Sequence, residues 1–314
     1  MQEKIRLAVI GVGVHGARHA AVFGEMPDVE LVGVADSDEA VARSVAEACQ
    51  TTAVGDFRAL LDRVDAVSVA VPASRHFEIA GACLQRGIHV FLEKPIAETT
   101  AQASSLVELV RGKPIVFQVG HIERFNPAIA ALERIVQRPR FIEAHRLCAY
   151  SPRITDVGVV MDLMIHDLEI ILHFVGAPVT NISATGVNVL SRTEDIANAR
   201  LEFANGCIAN VTTSRVSPEP MRKIRLFQED AYISLDYHAQ EGLIYRKQDG
   251  QIVREPVPTQ KGQPLQLELA AFVECVRRGG EPRVGGEQAT RALELALDIL
   301  RDIARRNEWL QENF

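Results

Sequence analysis

The sequence predicts an α/β protein of two domains: a doubly wound parallel sheet at the N-terminus, then an α/β domain built on an open, mostly antiparallel sheet. Three observations carry this expectation. Short apolar runs alternate with helical periodicity through the first 120 residues, the pattern of crossover units in a parallel sheet. Beyond residue 120 the apolar runs lengthen and are joined by hairpin signals, the clearest being Asn205-Gly206. A chain of 314 residues is also long for a single core.

Ile5 to Ile10 is a short apolar run that ends at glycine, as a buried parallel strand does. His15 to Glu25 follows as a helix, Glu30 to Ala35 as a strand and Ala40 to Ala48 as a helix. Ala66 to Val71 is a third strand, ended by Pro72. Then come helix Phe77 to Gln85, strand His89 to Leu92, helix Ala101 to Val110 and strand Ile115 to Val119. In the second half Arg140 to Tyr150, Ile182 to Leu190, Ala197 to Phe203 and Cys207 to Arg215 read as strands. So do Lys223 to Phe227, Ala231 to Tyr237 and Gly242 to Arg246. Pro264 to Arg278 and Glu287 to Arg306 are amphipathic helices, the first opening on a proline, where a missing N–H costs nothing. Domains are expected over 1–120 and 121–314, with the last helix able to pack back on the first.

Composition removes several classes of function. Hydrophobic residues at 47% and charged residues at 24% are globular values, against disorder. A net charge of −7 argues against nucleic acid as a partner, since that affinity rests on cations facing phosphates. The five cysteines are scattered with no C-x-x-C pair, so they read as buried thiols in a reducing compartment. Met1 to Ile10 reads as strand and turn without a cleavage pattern, and no charge-free run reaches membrane-spanning length. A cytoplasmic protein with no membrane partner is expected. The large sheet offers a face for self-association into a homodimer or homotetramer, an expectation that sedimentation showing only monomer would remove.

Gly11-Val12-Gly13-Val14-His15-Gly16 matches G-x-G-x-x-G, with a strand before it and a helix after it. Gly11 permits the tight turn, Gly13 the approach of a pyrophosphate, and Gly16 close packing of helix on strand. Asp36 follows Gly16 by 20 residues at the end of the second strand, where an acid accepts hydrogen bonds from the adenosine ribose. A 2′-phosphate there would face Asp36, Asp38 and Glu39, so NAD is expected rather than NADP.

Three further segments carry candidate chemistry. The fourth strand ends in Glu93-Lys94-Pro95, which places Lys94 at the carboxyl end of the sheet, where ligands bind. Gly120-His121-Ile122-Glu123-Arg124-Phe125-Asn126-Pro127 is a polar run where the architecture changes, able either to reach a cleft or to serve as a solvated hinge. Met161 to His173, read as a helix, sets Asp162, His166, Glu169 and His173 at i, i+4, i+7 and i+11 on one face. Histidine and carboxylate in that pattern also have metal-ligand chemistry. Nicotinamide chemistry needs no metal when a base takes the hydroxyl proton, and none is expected.

With these residues in place the chain resembles the Gfo/Idh/MocA oxidoreductases, the family of glucose–fructose oxidoreductase and inositol dehydrogenase. The resemblance spans nearly the whole length. It rests on the glycine motif, Glu93-Lys94-Pro95, Asp162 with His166, and the segment from Phe272 through Pro282 into the last helix. It implies a Rossmann domain, an open-sheet α/β domain, a substrate between them, and oxidation or reduction of a secondary carbinol of a sugar or cyclitol. By the same resemblance Lys94 orients the reacting hydroxyl, His166 is the acid/base and Asp162 lies nearby. Pro72 and His76, with Gly11, Gly13, Val14, His15, Gly16, Asp36, Glu93 and Lys94, belong to the cofactor side. One departure is Met164, where the family usually has glycine two residues after the aspartate. The segment from Gly120 to Pro127 looks most like a subgroup that includes UDP-N-acetylglucosamine 3-dehydrogenases. That likeness makes His121, Glu123, Arg124, Asn126 and Arg153 candidates for holding a nucleotide sugar. Three alternatives stand beside it: a dehydrogenase of a free sugar or inositol, a metal-dependent lyase or hydrolase using the Asp162/His166 helix face, and a catalytically silent NAD-binding regulator.

Overall fold

Strands β1 (Ile5–Ile10), β2 (Val29–Ala35), β3 (Thr52–Val54), β4 (Ala66–Val69), β5 (His89–Glu93) and β6 (Phe117–Gly120) form one sheet in the order 3-2-1-4-5-6. Every neighbouring pair in it is parallel. The structure, a computed structural model, describes residues 3–151 and 157–313. β4 and β6 are buried on both sides: all four residues of each are buried. Crossover helices α1 (Val14–Glu25), α2 (Glu39–Ala48), α3 (His76–Gln85) and α4 (Thr100–Val110) join the strands, as a parallel sheet requires. The register pairs Ile10 with Ala35 and with Val69, Val69 with Leu92, and Glu93 with Gly120. Gly11, Asp36, Ala70, Lys94 and His121 therefore leave the sheet along one edge. The strand order reverses at β1, so the glycine turn opens at the switch point where α/β sheets bind ligands.

The second sheet holds β7 (Phe141–Leu147), β8 (Val179–Val187), β9 (Ile196–Phe203), β10 (Ile208–Ser214), β11 (Met221–Phe227), β12 (Tyr232–Asp236), β13 (Glu241–Gln248) and β14 (Gln251–Pro256). Their order is 14-13-12-11-7-10-9-8, antiparallel throughout except where β7 runs parallel to β10. Asn205-Gly206 turns β9 into β10, with Gly206 at φ +82°, where only glycine is relaxed. One face is covered by α5 (Pro127–Leu132), α6 (Ile165–Val175) and part of the final helix. Ile142, Ala144, Leu168, Ile171, Val211, Leu226 and Ile299 belong to the core between them. The other face carries an aromatic ladder: Phe141–Phe227, Phe227–Tyr232 and Tyr232–Tyr245 have ring centroids 5.6, 4.6 and 5.2 Å apart.

Two compact units result: Met1–Ile122 with Gln263–Thr290, and Glu123–Gly262 with Arg291–Phe314. The return segment contains α7 (Pro264–Arg278), whose Leu269, Phe272 and Val273 complete the first core beside Val9, Phe23 and Phe91. The last helix, α8 (Gly286–Asn313), changes unit after Thr290. The expected strand Ile182 to Leu190 begins earlier and ends earlier, because Asn188–Ser191 turns to wrap Asp195. The amides of Val189, Leu190 and Ser191 all donate to that carboxylate, at 2.8, 2.6 and 2.9 Å. The cysteines of the described residues are free thiols; burial pushes Cys83 up to about 12 and Cys207 up to about 11. No helix among the described residues is long and apolar enough to cross a membrane.

Candidate active site

Two of the three glycines in the turn are required by close packing. Gly11 has φ +80°, and a Cβ on it would meet Ala70 O at 2.7 Å. A Cβ on Gly16 would sit 1.8 Å from Gly11 O, so the helix can start against the turn only with glycine there. Gly13 caps α1, and a Cβ on it would meet nothing within 4 Å. No side chain caps the helix and its first turn holds no acid, so its amide groups and dipole are left for an anion. Val14 and His15 are exposed in that first turn. A cavity of about 430 Å³ opens beside it, lined by Gly11, Gly13, Asp36, Phe57, Arg58 and Pro72 among others.

Asp36 is fixed from two sides. Its Oδ2 accepts from Val12 N at 2.8 Å and its Oδ1 from Asp38 N at 3.0 Å. Each oxygen keeps lone-pair capacity for a ribose hydroxyl. Arg43 is tied to Glu39 at 2.6 Å, and Arg58 and Arg75 are both paired with Glu78. These features fit the adenosine and pyrophosphate of a dinucleotide.

At the end of β5, Glu93 and Lys94 are half-buried and the Lys94–Pro95 peptide is cis. His76 is buried, with Nδ1 2.7 Å from Pro95 O and Nε2 2.9 Å from Val71 O, so it ties this turn to the end of β4. Burial lowers its pKa below the ordinary histidine value, against the pull of those two carbonyls. His121 is buried just beyond β6.

In the second unit the expected helix forms, but Val160–Met164 winds as a π-helix before α6 continues in α form. Such i→i+5 turns leave no signature in residue spacing. Asp162 is half-buried and His166 is buried on the first turn of α6. The far end of the polar stripe is drawn into contacts with neighbouring side chains: Glu169 pairs with Arg124 at 2.6 Å, and His173 Nε2 lies 3.3 Å from Glu133. Arg124 also reaches Glu133 at 3.3 Å. Asn126 caps α5 at Ala128 N and donates to Tyr237 O and to Glu123. The run from Glu123 to Asn126 is thus a buried strut of this unit and not a solvated hinge. Arg153 lies outside the described residues.

Two clusters were not singled out from the sequence. The first centres on Arg146, which bonds both oxygens of Asp167 at 2.8 and 3.2 Å and Glu123 at 3.0 Å, with its guanidinium over the Tyr237 ring. The Tyr237 hydroxyl donates to Asp167. Burial works against the charge on Arg146, but Asp167, Tyr237 and Glu123 outweigh it and hold its pKa well above the ordinary value. Burial, with Asp167 beside it, likewise raises Tyr237. Its signal is the alternation of β7, which puts Arg146 on the same face as Ile142 and Ala144. The second cluster is His19 with Ser68 and Glu93, signalled by the helical spacing of Gly16, His19, Ala20 and Phe23 on the buried face of α1.

Comparison with known proteins adds to this geometry. Residues 5–121 match the GFO/IDH/MocA oxidoreductase family model with an NAD-binding Rossmann fold, and residues 138–234 match a GFO/IDH/MocA C-terminal domain. UDP-N-acetylglucosamine 3-dehydrogenase of Acidithiobacillus ferrooxidans is 35% identical over 302 residues, 94% of this chain and 96% of its own. A solved structure of that enzyme superposes with a TM-score of 0.92 at 34% identity, covering 96% of this chain and 98% of its own. The scyllo-inositol 2-dehydrogenase (NAD(+)) of Bacillus subtilis is 26% identical over 95% of this chain and 93% of its own. A levoglucosan dehydrogenase in complex with NADH and levoglucosan shares the fold, with a TM-score of 0.87 at 18% identity over 96% of this chain and 98% of its own.

Proposed function

The chain belongs to the Gfo/Idh/MocA oxidoreductase family and uses NAD, and on that premise we propose that it oxidises the 3-hydroxyl of UDP-N-acetylglucosamine to a ketone. The observation that carries the choice of substrate is the 35% identity, along nearly the full length of both chains, to an enzyme of that name. As in its relatives, the reacting group is a CH–OH. Oxidation takes a hydride from the carbon and a proton from the oxygen; NAD, when bound, accepts the hydride. Lys94 is proposed to orient and polarise the oxygen, and His166 to take the proton, with Asp162 beside it. A 3-keto product suits a following transamination to a 2,3-diamino sugar.

A nucleotide sugar brings a diphosphate, which needs cationic or amide donors. Arg215 does not offer an open one: it is buried and bonds Asp195, Ser191, Thr193 and the Val157 carbonyl. Arg124 is likewise committed to Glu169 and Glu133. The substrate is tested by incubating the protein and NAD with UDP-N-acetylglucosamine, free N-acetylglucosamine, glucose and myo-inositol. Reduced NAD is expected to accumulate with the nucleotide sugar, more fully when a transaminase removes the ketone. Reaction with inositol or glucose and none with the nucleotide sugar would refute the substrate and leave the family intact.

Cofactor preference follows from Asp36. NAD is expected to bind at least roughly tenfold tighter than NADP, about 1.4 kcal/mol. A 2′-phosphate would meet a carboxylate that two amides hold in place, so the charge cannot swing away. Asp36→Ala is expected to narrow the gap, read by titrating each dinucleotide; equal affinities in the unmodified protein would refute the assignment.

A further inference from the structure

A line of polar atoms runs beneath the glycine turn to the carboxyl end of β5. His19, on the buried face of α1, is 1% exposed, and Ser68, on β4, is fully buried. The imidazole Nδ1 lies 2.9 Å from Ser68 Oγ and Nε2 lies 3.2 Å from Glu93 Oε1. The other oxygen of Glu93 accepts the Lys94 backbone N–H at 3.1 Å. Phe91 closes the ring of His19 edge-on, with centroids 5.5 Å apart. A Cβ on Gly120 of β6 would come within 3.1 Å of Glu93 Oε2, so that neighbour too is shaped around the carboxylate.

We propose that His19 is a positioning residue for the reaction: its imidazole pins the Glu93 carboxylate, and through it the Lys94 turn, while Ser68 fixes the ring. The inference rests on the role of Lys94 given above.

A buried carboxylate without a partner is costly and takes up a proton. Burial does press on Glu93 in that direction. The hydrogen bond from His19, with the charges of His19, Lys94 and His15, outweighs it and holds the carboxyl below its ordinary value. The link from imidazole to carboxylate to amide passes through one side chain, that of Glu93, held at one oxygen by His19 and at the other by the Lys94 amide. Ser68 suits the post because a hydroxyl both donates and accepts, and so serves either protonation state of the ring. On the far side of Lys94, the contact of His76 with Pro95 O grips the same turn.

The test uses the two amides that mimic the two halves of an imidazole. Gln in place of His19 reaches the Nε2 position and keeps the bond to Glu93; Asn reaches only the Nδ1 position, toward Ser68. With NAD and whichever alcohol of the panel the unmodified protein oxidises, His19→Asn is expected to lower kcat roughly 10- to 100-fold, the loss of one charge-assisted hydrogen bond. NAD affinity is expected to hold, and His19→Gln to restore most of the rate. In a Glu93→Gln background, adding His19→Asn is expected to cost nothing more. The carboxyl ¹³C resonance of Glu93 reads the clamp without any substrate: its titration is expected to move up in His19→Asn and to stay low in His19→Gln. Should His19→Asn not fold, Ser68→Ala carries the same comparison, with a smaller rise and a smaller loss of kcat. An unmoved Glu93 titration, or an equal penalty with and without Glu93, would overturn the proposal. Full activity in Lys94→Ala would instead remove the role of Lys94, leaving the Glu93 titration to judge the clamp alone.

Discussion

His166→Ala is expected to lower kcat by roughly 10²–10⁴-fold, the usual worth of a general base, while NAD binds with native affinity. The separation of the two effects follows from the architecture. Every residue lining the cavity beside the glycine turn belongs to the first unit, whereas His166 stands on α6 of the second. Lys94→Ala is expected to lose activity over the same roughly 10²–10⁴-fold range, on the proposed role of its ammonium in polarising the oxygen that gives up the proton. Single-turnover formation of reduced NAD, alongside dinucleotide titration, measures both. Near-normal turnover of His166→Ala across the pH range would refute the assignment.

Arg146→Met is expected to destabilise the protein by about 3–5 kcal/mol, the cost of breaking a buried ion pair from one side. Asp167 is 0% exposed and Glu123 is 6% exposed, so neither carboxylate can turn to water when the guanidinium is lost. Arg222, at 3.7 Å from Glu123 and about half exposed, is a poor substitute. Removing Asp167 as well is expected to recover part of the loss, because an absent charge needs no partner. Urea unfolding gives the number, the slope against denaturant being unchanged if only stability moves. A midpoint that stays put would mean that the cluster contributes nothing net.

What could be read from the chain, and what could not, divides along physical lines. Buried parallel strands such as Ile5–Ile10 and Ala66–Val69 announce themselves, because both faces must be apolar and a turn residue must follow. Gly11, Gly13, Gly16 and Asp36 were legible since their spacing reflects backbone geometry, which is local. β3 is three residues at a sheet edge, too short for any period, and β14 is exposed along almost its whole length, so alternation gives it no mark. Phe57, Arg58 and Ile79 line the cavity from segments that only folding brings beside Asp36. Arg146 with Asp167, and His19 with Glu93, are partners 21 and 74 residues apart; single residues were visible, but pairing is a property of the third dimension.

The return of α7 to the first unit has a consequence for the order of events during synthesis. Phe272 is fully buried and meets Phe91 edge-on, Gln118 Nε2 donates to Glu268 O, and Val119 N donates to Val284 O. A nascent chain that has emerged only as far as Ile122 holds all six strands of the first sheet, yet none of these partners. The ribosome must add 156 more residues before the missing helix is complete at Arg278, which takes roughly ten seconds or more at ordinary elongation rates. Throughout that interval the apolar side of the first sheet that α7 will cover stands open to solvent and to chaperones. The earliest-made domain is therefore among the last to be finished.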